Sequence, residues 1–308
     1  MKTLKALFLG LVVVMMGLTA CNSQSNEKIA RVDTLMMPAD TVNARIAKIM
    51  SDYVVLLRQD LLQDTTVLNT LGQTQLVVQD IENNKIDQAK TTLQNLIGSL
   101  EVYLTKNPDA ALVPINVSYH QVETVDNIDT ARAIAKAAHK AMEKGYYQAA
   151  KQILAGLTSE MIISTAYLPI VDYLQGLKVA AALLDENQVD KAMVVMQAAL
   201  SRVVVTDVTI PLPILKAEVM IDEAARIDAK DHKHVAQVVN LLDNAKYQIK
   251  LAEAMGYGKH DKEFKELYKA IKDLKKSVKA QANSQPAFNK LHKKLKNFEH
   301  RLFPIKKK

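Results

Sequence analysis

The stretch that decides the fold reads V-V-V-T-D-V-T-I-P-L-P-I-L-K-A-E and covers residues 203–218. Seven of its first eight residues are β-branched, and such side chains favour an extended backbone. Pro211 and Pro213 fix their own φ angles and push the residue before each of them away from the helical region. The stretch therefore predicts that a helix ends near residue 203, that the chain is extended to about residue 213, and that a new helix starts at Ile214.

Two interpretations of this extended segment stay open. An apolar segment of this kind is expected to be buried as a crossover or short strand, where its backbone groups need hydrogen-bond partners. It could instead line a binding groove, which makes a small-ligand binding module with a pocket near residues 203–213 the alternative function. Asp207 is the polar group that stands out here, and a helix cap or a backbone hydrogen bond explains it without catalysis.

The first 21 residues have the features of an export signal. Lys2 and Lys5 precede an apolar run at residues 7–18, which is too short to span a bilayer comfortably. Residues 18–21, Leu-Thr-Ala-Cys, resemble a bacterial lipobox, which implies cleavage before Cys21 and attachment of lipid to it. An ordinary secretory signal is the alternative. We expect a lipoprotein signal peptide over residues 1–20 and a flexible tether over residues 21–40.

The single cysteine restricts the chemistry of the chain. Because Cys21 is the only cysteine among 308 residues, no internal disulfide or thiolate cluster can form. The expected partner at this position is the membrane, through the lipid. An aspartate after Cys21 would resemble an inner-membrane retention signal, whereas this chain has Asn22. We therefore expect a location in the bacterial cell envelope, at the periplasmic face of the outer membrane.

Helical periodicity dominates from residue 41 onward. A helix is predicted from Ile128, where Asp126 or Asn127 can act as the N-cap. The other helices predicted in the middle of the chain cover about 66–82, 86–104, 146–165, 169–185 and 187–203. The pattern predicts a mainly α fold, a multi-helix bundle of helical hairpins.

One further segment resembles the extended stretch. Residues 112–119 are largely apolar, partly β-branched and contain Pro114. Pairing of this segment with residues 203–213 would satisfy the backbone of both. We therefore expect a short two-stranded β element inside the helical bundle.

A weak internal echo runs through the middle of the chain. Three similar segments each open a helix, and they align Ala89, Ala149 and Ala192. An apolar segment with a proline follows each time. The spacings between the alanines, 60 and 43 residues, are unequal, which argues against a regular solenoid. Repeat ancestry and the ordinary preferences of tight helix corners both stay open.

Several motifs carry a resemblance to a known family. They are VTDVTIPLP at residues 205–213, KAE at 216–218, LLDNAK at 241–246 and LAEAMGYG at 251–258. Together they resemble the YfdX family of bacterial envelope proteins, most specifically over about 200–270 and more weakly back to about 110. The resemblance implies a mostly helical, exported protein that is linked to stress responses, has no established enzymatic activity and has a suggested chaperone-like role. It implies no functional residues.

The composition changes after Gly256 and Gly258, which predict a helix stop. Residues 259–308 hold 16 Lys or Arg and 5 Asp or Glu, a net charge of +11. Without them and the two signal lysines the chain has a net charge of −6. Two apolar series with the same 3-4-3-4 spacing predict an antiparallel helical hairpin: Phe264, Leu267, Ile271, Leu274 and Val278, then Phe288, Leu291, Leu295, Phe298 and Leu302. We expect a helical domain over residues 41–258 and a basic C-terminal hairpin over residues 259–308.

The first helix of this hairpin carries a row of lysines away from its apolar series, which we call the lysine stripe. It consists of Lys262, Lys265, Lys269, Lys272, Lys276 and Lys279. The stripe is either a solvated face or a contact for anionic material, such as lipid headgroups, polyanionic glycans or the protein's own acidic body. We do not expect a nucleic-acid partner, because the chain has an export signal and few aromatic residues for base stacking.

The sequence contains no recognised catalytic motif. It lacks a Gly-x-Ser-x-Gly elbow, a phosphate loop, a dinucleotide fingerprint and His-Glu-x-x-His. His232 and His234 beside Asp231, and His260 beside Asp261, have weak spacings for a metal and are expected at the surface. We expect no catalytic residue, no metal and no cofactor.

These expectations converge on a non-enzymatic, lipid-anchored envelope protein. It is expected to act through contacts with protein clients or envelope partners in stress protection, with a chaperone-like role. A homo-oligomer is compatible with the sequence, and an unrecognised hydrolase or transferase is a further alternative.

Overall fold

The computed structural model describes residues 37–62, 65–258 and 262–302. In this part of the chain it contains eleven helices and three strands, which confirms the mainly α fold class. The helices are α1 (Ala39–Leu61), α2 (Thr66–Glu82), α3 (Ile86–Lys106), α4 (Ile128–Glu143), α5 (Tyr147–Ala155), α6 (Ile170–Asp185), α7 (Val189–Ser201), α8 (Leu212–Arg226), α9 (His232–Met255), α10 (Lys262–Lys279) and α11 (Gln285–Leu302). The strands are β1 (Leu112–Glu123), β2 (Ser159–Pro169) and β3 (Val204–Pro211).

The three strands form one antiparallel sheet in the order β1–β2–β3. Ile162 in β2 pairs with His120 of β1 on one side and with Thr209 of β3 on the other. The expected β element is therefore present and has three strands. The predicted pairing between residues 112–119 and 203–213 was wrong, because β2 lies between these two strands.

Strand β2 occupies residues that periodicity had assigned to a helix over 146–165. Helix α5 ends at Ala155, and β2 begins at Ser159. In the first half of β2, buried Met161 and Ile163 alternate with half-buried neighbours, which is the period of a strand. The helix prediction was wrong from residue 156 onward because a central strand, partly buried on both faces, reads as a continuous apolar run.

Each strand follows a helical hairpin, so the middle of the chain consists of three hairpin–strand units: α2–α3–β1, α4–α5–β2 and α6–α7–β3. The corner of each hairpin has one residue in the left-handed region, namely Asn84 (φ 58°), Gly145 (φ 76°) and Asn187 (φ 59°). In each corner the next residue's N–H donates to the carbonyl five residues earlier. These are the contacts of a Schellman motif, so the internal echo is a shared corner geometry.

A buried alanine lies five residues after each left-handed corner residue. The three are Ala89, Ala150 and Ala192, each at most 2% exposed. The sequence alignment had placed Ala149 at this position, but Ala149 is exposed. The alignment of the second unit was therefore one residue out of register, because it did not anchor on the positive φ of Gly145.

Two large apolar clusters form the core. The first joins α1, the sheet, α8, α9, α10 and α11, and includes Ile46, Val117, Ile214, Phe264 and Phe298. The second joins α2, α3, α6 and α7, and includes Val77, Leu93, Tyr173, Leu177 and Met196. Since α10 and α11 contribute to the same cluster as α8, the C-terminal hairpin and the preceding helices share one core. The boundary predicted at residue 258 stays a prediction.

The C-terminal hairpin packs along the predicted apolar series. All five residues of the first series and Phe288, Leu291, Leu295 and Phe298 of the second are buried, while the side chain of Leu302 lies outside the described part of the chain. The Phe264 and Phe298 rings meet edge to face across the hairpin with their centroids 4.8 Å apart.

Residues 203–213 are buried only at their C-terminal end. Residues 203–207 are exposed, whereas Ile210 and Leu212 are buried. The expectation that the whole segment is buried was therefore wrong. Within the described residues, no helix has the length and apolarity needed to cross a bilayer. The signal sequence, Cys21 and the tether up to residue 36 lie outside these residues.

Candidate functional site

The lysine stripe lies on the face of α10 opposite the buried series. All six of its lysines are exposed. None of them forms an ion pair with another side chain in the described part of the chain. Because the apolar series holds α10 against the core, the charged face of the helix is fixed toward solvent.

Three other lysines of the hairpin do form ion pairs. Lys275 pairs with Asp243 of α9, and Lys294 of α11 pairs with Glu266 of α10 across the hairpin. Lys296 lies 3.3 Å from Glu218 of α8. The hydrogen bond from Lys294 holds the pKa of Glu266 below its usual value. Among the described residues, the hairpin therefore has two classes of lysine: those in ion pairs, and the stripe lysines, which form none.

A polar cluster joins α11 to α8. Glu218 and Asp222 lie one turn apart on α8, so both carboxylates point the same way. His292 of α11 lies between them, with its Nδ1 2.9 Å from Asp222 Oδ1 and its Nε2 3.7 Å from Glu218 Oε1. We call Glu218, Asp222, His292 and Lys296 the docking cluster.

Glu299 lies one turn beyond Lys296, toward α1. Burial raises the pKa of Glu299 to about 7, the nearby Glu218 carboxylate contributes to this rise, and Lys296 opposes it. Burial also raises the pKa of Tyr53 on α1, with a smaller contribution from Glu299. The raised pKa brings this carboxyl group of the hairpin interface close to neutral pH.

The docking cluster is also the group that could hold a metal ion among the described residues. Glu218, Asp222 and His292 each offer one ligand atom, and these atoms lie within 4.8 Å of one another. The imidazole already contacts both carboxylates, however, and Lys296 neutralises Glu218. Ion pairing therefore accounts for the geometry without a metal.

The residues that sequence had singled out for metal binding do not join this cluster. Asp231 caps α9 by accepting a hydrogen bond from the Lys233 N–H at 2.9 Å. His260 and Asp261 lie outside the described residues. Sequence reasoning missed His292 and its two carboxylates, because the partners are 70 or more residues apart. The spacing of Glu218 and Asp222 was the one available signal.

The two edge strands of the sheet, β1 and β3, differ in what packs against their outer edges. On the β1 edge, Arg58 of α1 donates two hydrogen bonds to the Val117 carbonyl, at 2.9 and 2.6 Å. On the β3 edge, no further strand pairs within the described part of the chain. Val203, Val204 and Val205 at this edge are 39%, 40% and 58% exposed. β3 is therefore an open edge strand with an apolar, β-branched start.

Asp207 has a simple role in this strand. Ser164 of β2 donates a hydrogen bond to Asp207 Oδ1 at 2.7 Å, across the strand pair. The sequence had suggested a helix cap or a backbone hydrogen bond instead. A cross-strand side-chain bond also explains the residue without catalysis.

Two cavities are lined by residues of the C-terminal half of the described chain, and neither lies beside residues 203–213. One, of about 320 Å³, lies between the turn that follows α8 and the turn between α10 and α11, and is lined by Arg226, Asp228 and Phe288 among others. The other, of about 130 Å³, lies along the hairpin and is lined by Glu263, Glu266, Leu267, Lys294 and Asn297. Neither cavity favours the alternative of a ligand pocket at β3.

Residues 70–209 match the family model described as YfdX protein. These residues are a YfdX-family region. The YfdX region runs from within α2 to within β3, so it comprises nearly all of the three hairpin–strand units. The resemblance in the sequence was strongest over 200–270, of which the family model covers only residues 200–209. Helices α1 and α8 to α11 lie outside the YfdX region.

The solved structures that match this chain include a YfdX protein. The structure of Salmonella Typhi YfdX is 15% identical in sequence and aligns with a TM-score of 0.32. The alignment covers 48% of this chain and 91% of that chain. No curated protein matches this chain.

Proposed function

We propose that this chain is a non-enzymatic, lipid-anchored envelope protein that binds extended polypeptide segments along the open edge of β3. In this proposal the lipid is attached to Cys21, the protein faces the periplasm from the outer membrane, and its binding of unfolded clients contributes to stress protection. The observation that carries the proposal is the exposure of residues 203–205 on a strand edge that no other strand of the described chain pairs with.

An open edge strand has the chemistry for this task. Along an antiparallel pair, alternate residues direct their N–H and C=O groups to the unpaired side. Proteins usually protect such edges with a lysine, a proline or a covering segment. Residues 203–206 of this chain include neither a lysine nor a proline. An extended client segment can therefore add as a further strand, using backbone hydrogen bonds that do not depend on client sequence.

The sheet itself supports the edge. β3 is held by its pairing with β2, from Val204 to Pro211. Ile210 and Leu212 then enter the core, which fixes the end of the strand. A client segment therefore binds to a strand that is already ordered. The protein loses less conformational entropy on binding than it would if β3 had to become ordered first.

The test is a charged substitution at the exposed edge. Residues 22–308 with Val205→Lys are compared with the unsubstituted form in suppressing aggregation of heat-unfolded citrate synthase and of reduced insulin. A lysine on the edge opposes strand addition, so about tenfold more variant should be required for equal protection. Val194→Lys is the control, since Val194 is 65% exposed on α7. Equal protection by both variants excludes the β3 edge as the binding site, and no protection by the unsubstituted form overturns the chaperone-like role.

A further inference from the structure

We propose that the lysine stripe of α10 binds the surface of an anionic lipid bilayer, so that the protein contacts the membrane through this helix as well as through any lipid on Cys21. This surface is separate from the β3 edge and does not depend on client binding there. It is carried by the exposure of all six lysines and by their lack of ion pairs with the residues that the structure describes.

The geometry of the stripe suits a flat partner. At about 100° per residue, its six positions fall within an arc of about 100° and extend along about 26 Å of helix. The buried residues Phe264, Leu267 and Ile271 hold the opposite face against the core. A lysine side chain is long and flexible, so six ammonium groups on this face can reach one plane together.

Among the described residues, the charges on the stripe are only partly offset by carboxylates: the charge of Lys269 contributes to the lowered pKa of Glu266. Of the acidic residues on α10, Glu266 already pairs with Lys294 and Glu263 pairs with Arg301. Asp273 is exposed and lies three and four residues from Lys276 and Lys269, so it reduces the local potential without removing it. Within the described part of the chain, the net effect is a cationic surface with six exposed lysines.

The side chains around the stripe favour lipid headgroups over nucleic acid. Binding to single-stranded nucleic acid uses exposed aromatic rings on which bases stack. On α10, Phe264 is buried, and Tyr268 is half-buried with its hydroxyl donating to Glu253 at 2.6 Å. The stripe contains only lysines. Their ammonium groups act as point charges, which attract the phosphates of a lipid surface without requiring a particular geometry.

The experiment measures vesicle binding by two charge-matched variants. Residues 22–308 are sedimented with vesicles of phosphatidylglycerol and phosphatidylcholine in equal amounts, and with pure phosphatidylcholine. The stripe variant carries Lys265→Gln, Lys269→Gln and Lys272→Gln. The control carries Lys275→Gln, Lys294→Gln and Lys296→Gln, which removes the same net charge from the paired lysines. Melting curves establish that both variants are folded at the assay temperature.

The expected result distinguishes binding by the stripe from binding that depends only on the net charge of the protein. Each lysine near an anionic bilayer contributes about fivefold to binding, so the stripe variant should bind about 100-fold more weakly than the unsubstituted form. The control should lose only a few-fold, and added salt should abolish binding. Equal losses in both variants, equal binding to pure phosphatidylcholine, or tighter binding to single-stranded DNA than to the anionic vesicles would each overturn the proposal.

A second measurement tests the orientation of the hairpin on the vesicle. Residues 22–308 contain no cysteine, so one polarity-sensitive fluorophore can be attached at a chosen position. With Lys272→Cys the emission should shift to the blue on anionic vesicles. With Lys293→Cys, at an exposed position of α11, it should not. A shift at position 293 without one at position 272 contradicts the assignment of the contact to the stripe.

Discussion

Helices α10 and α11 form one hairpin and are both basic, but their charged side chains meet different surroundings. On α11, His292, Lys294 and Lys296 all contact acidic residues. On α10, Lys275 is the one lysine with an ion pair in the described part of the chain. The remaining lysines of α10 are the stripe.

The difference follows from the helix against which each one packs. α11 packs on α8, which presents Glu218 and Asp222 one turn apart, whereas α10 packs on α9, where Asp243 is in reach of Lys275. Glu218 and Asp222 of α8 thus pair with residues of α11. Glu223, also on α8, pairs with Arg45 of α1. The comparison teaches that a hairpin lysine forms an ion pair where the helix facing it presents a carboxylate, as for Lys275, Lys294 and Lys296, and is otherwise exposed, as for Lys293 and the stripe.

The largest expected effect comes from removing the aromatic contact that fixes the hairpin. Phe298 is fully buried and packs on Phe264. Phe298→Ala leaves a cavity and should lower the free energy of unfolding by about 3–5 kcal/mol. The measurement is urea unfolding followed by circular dichroism, together with amide exchange of α8. Lys293→Ala, at an exposed position of the same helix, should change stability by less than about 0.5 kcal/mol.

This substitution also tests whether the hairpin is a separate unit. If α8 and the hairpin share one cooperative core, one transition shifts and exchange in α8 accelerates with it. If exchange in α8 is unchanged while the hairpin unfolds, residues 259–308 behave as the separate segment that the sequence predicted.

The second effect concerns the partly buried carboxyl group of Glu299 on α11. The pKa of Glu299 is raised from 4.5 to about 7, so the folded state favours its protonated form. The resulting stabilisation is fully present below pH 4.5 and is lost as the pH rises through about 7. Glu299→Gln mimics the protonated group, so its free energy of unfolding should exceed that of the unsubstituted chain by about 3 kcal/mol at about pH 8.5, and should nearly equal it at about pH 4.

The control for this pH dependence is Glu82→Gln, at an exposed position of α2. Urea unfolding at several pH values should give parallel curves for this variant and the unsubstituted chain. A curve for Glu299→Gln that is also parallel to them would show that Glu299 does not titrate differently in the folded state. The attribution of its raised pKa to burial and to Glu218 would then fail.

Much of the hairpin could be predicted from the sequence. The 3-4-3-4 spacing placed Phe264 and Phe298 in the core and left the lysine stripe on the opposite face, because helical periodicity is a local property. The docking cluster could not be predicted in this way. His292 meets Asp222 across 70 residues, and only the packing of α11 on α8 brings them together.

The sheet shows where local reasoning stops. β3 was predicted as extended from its β-branched residues and prolines, while β2 was read as helix because its apolar run has no clear period. That error also produced the wrong pairing, since the central strand was missing. The corner at Gly145 had a local signal, a glycine before a helix, but its positive φ was needed to align Ala150 with Ala89 and Ala192.

The smallest expected effect compares two lysines on α10 itself. Lys275→Gln breaks the ion pair with Asp243. The side chain of Lys275 is 22% exposed and that of Asp243 is 50% exposed. Because the pair is partly exposed, its loss should cost at most about 1 kcal/mol in unfolding free energy. Lys272→Gln removes a stripe lysine without an ion pair and should cost nothing measurable. Urea unfolding at low salt resolves the two, and about 1 M NaCl should reduce the difference because salt screens exposed charges. If Lys272→Gln costs as much as Lys275→Gln, then Lys272 has a structural partner, and the division of α10 into paired and free lysines is wrong.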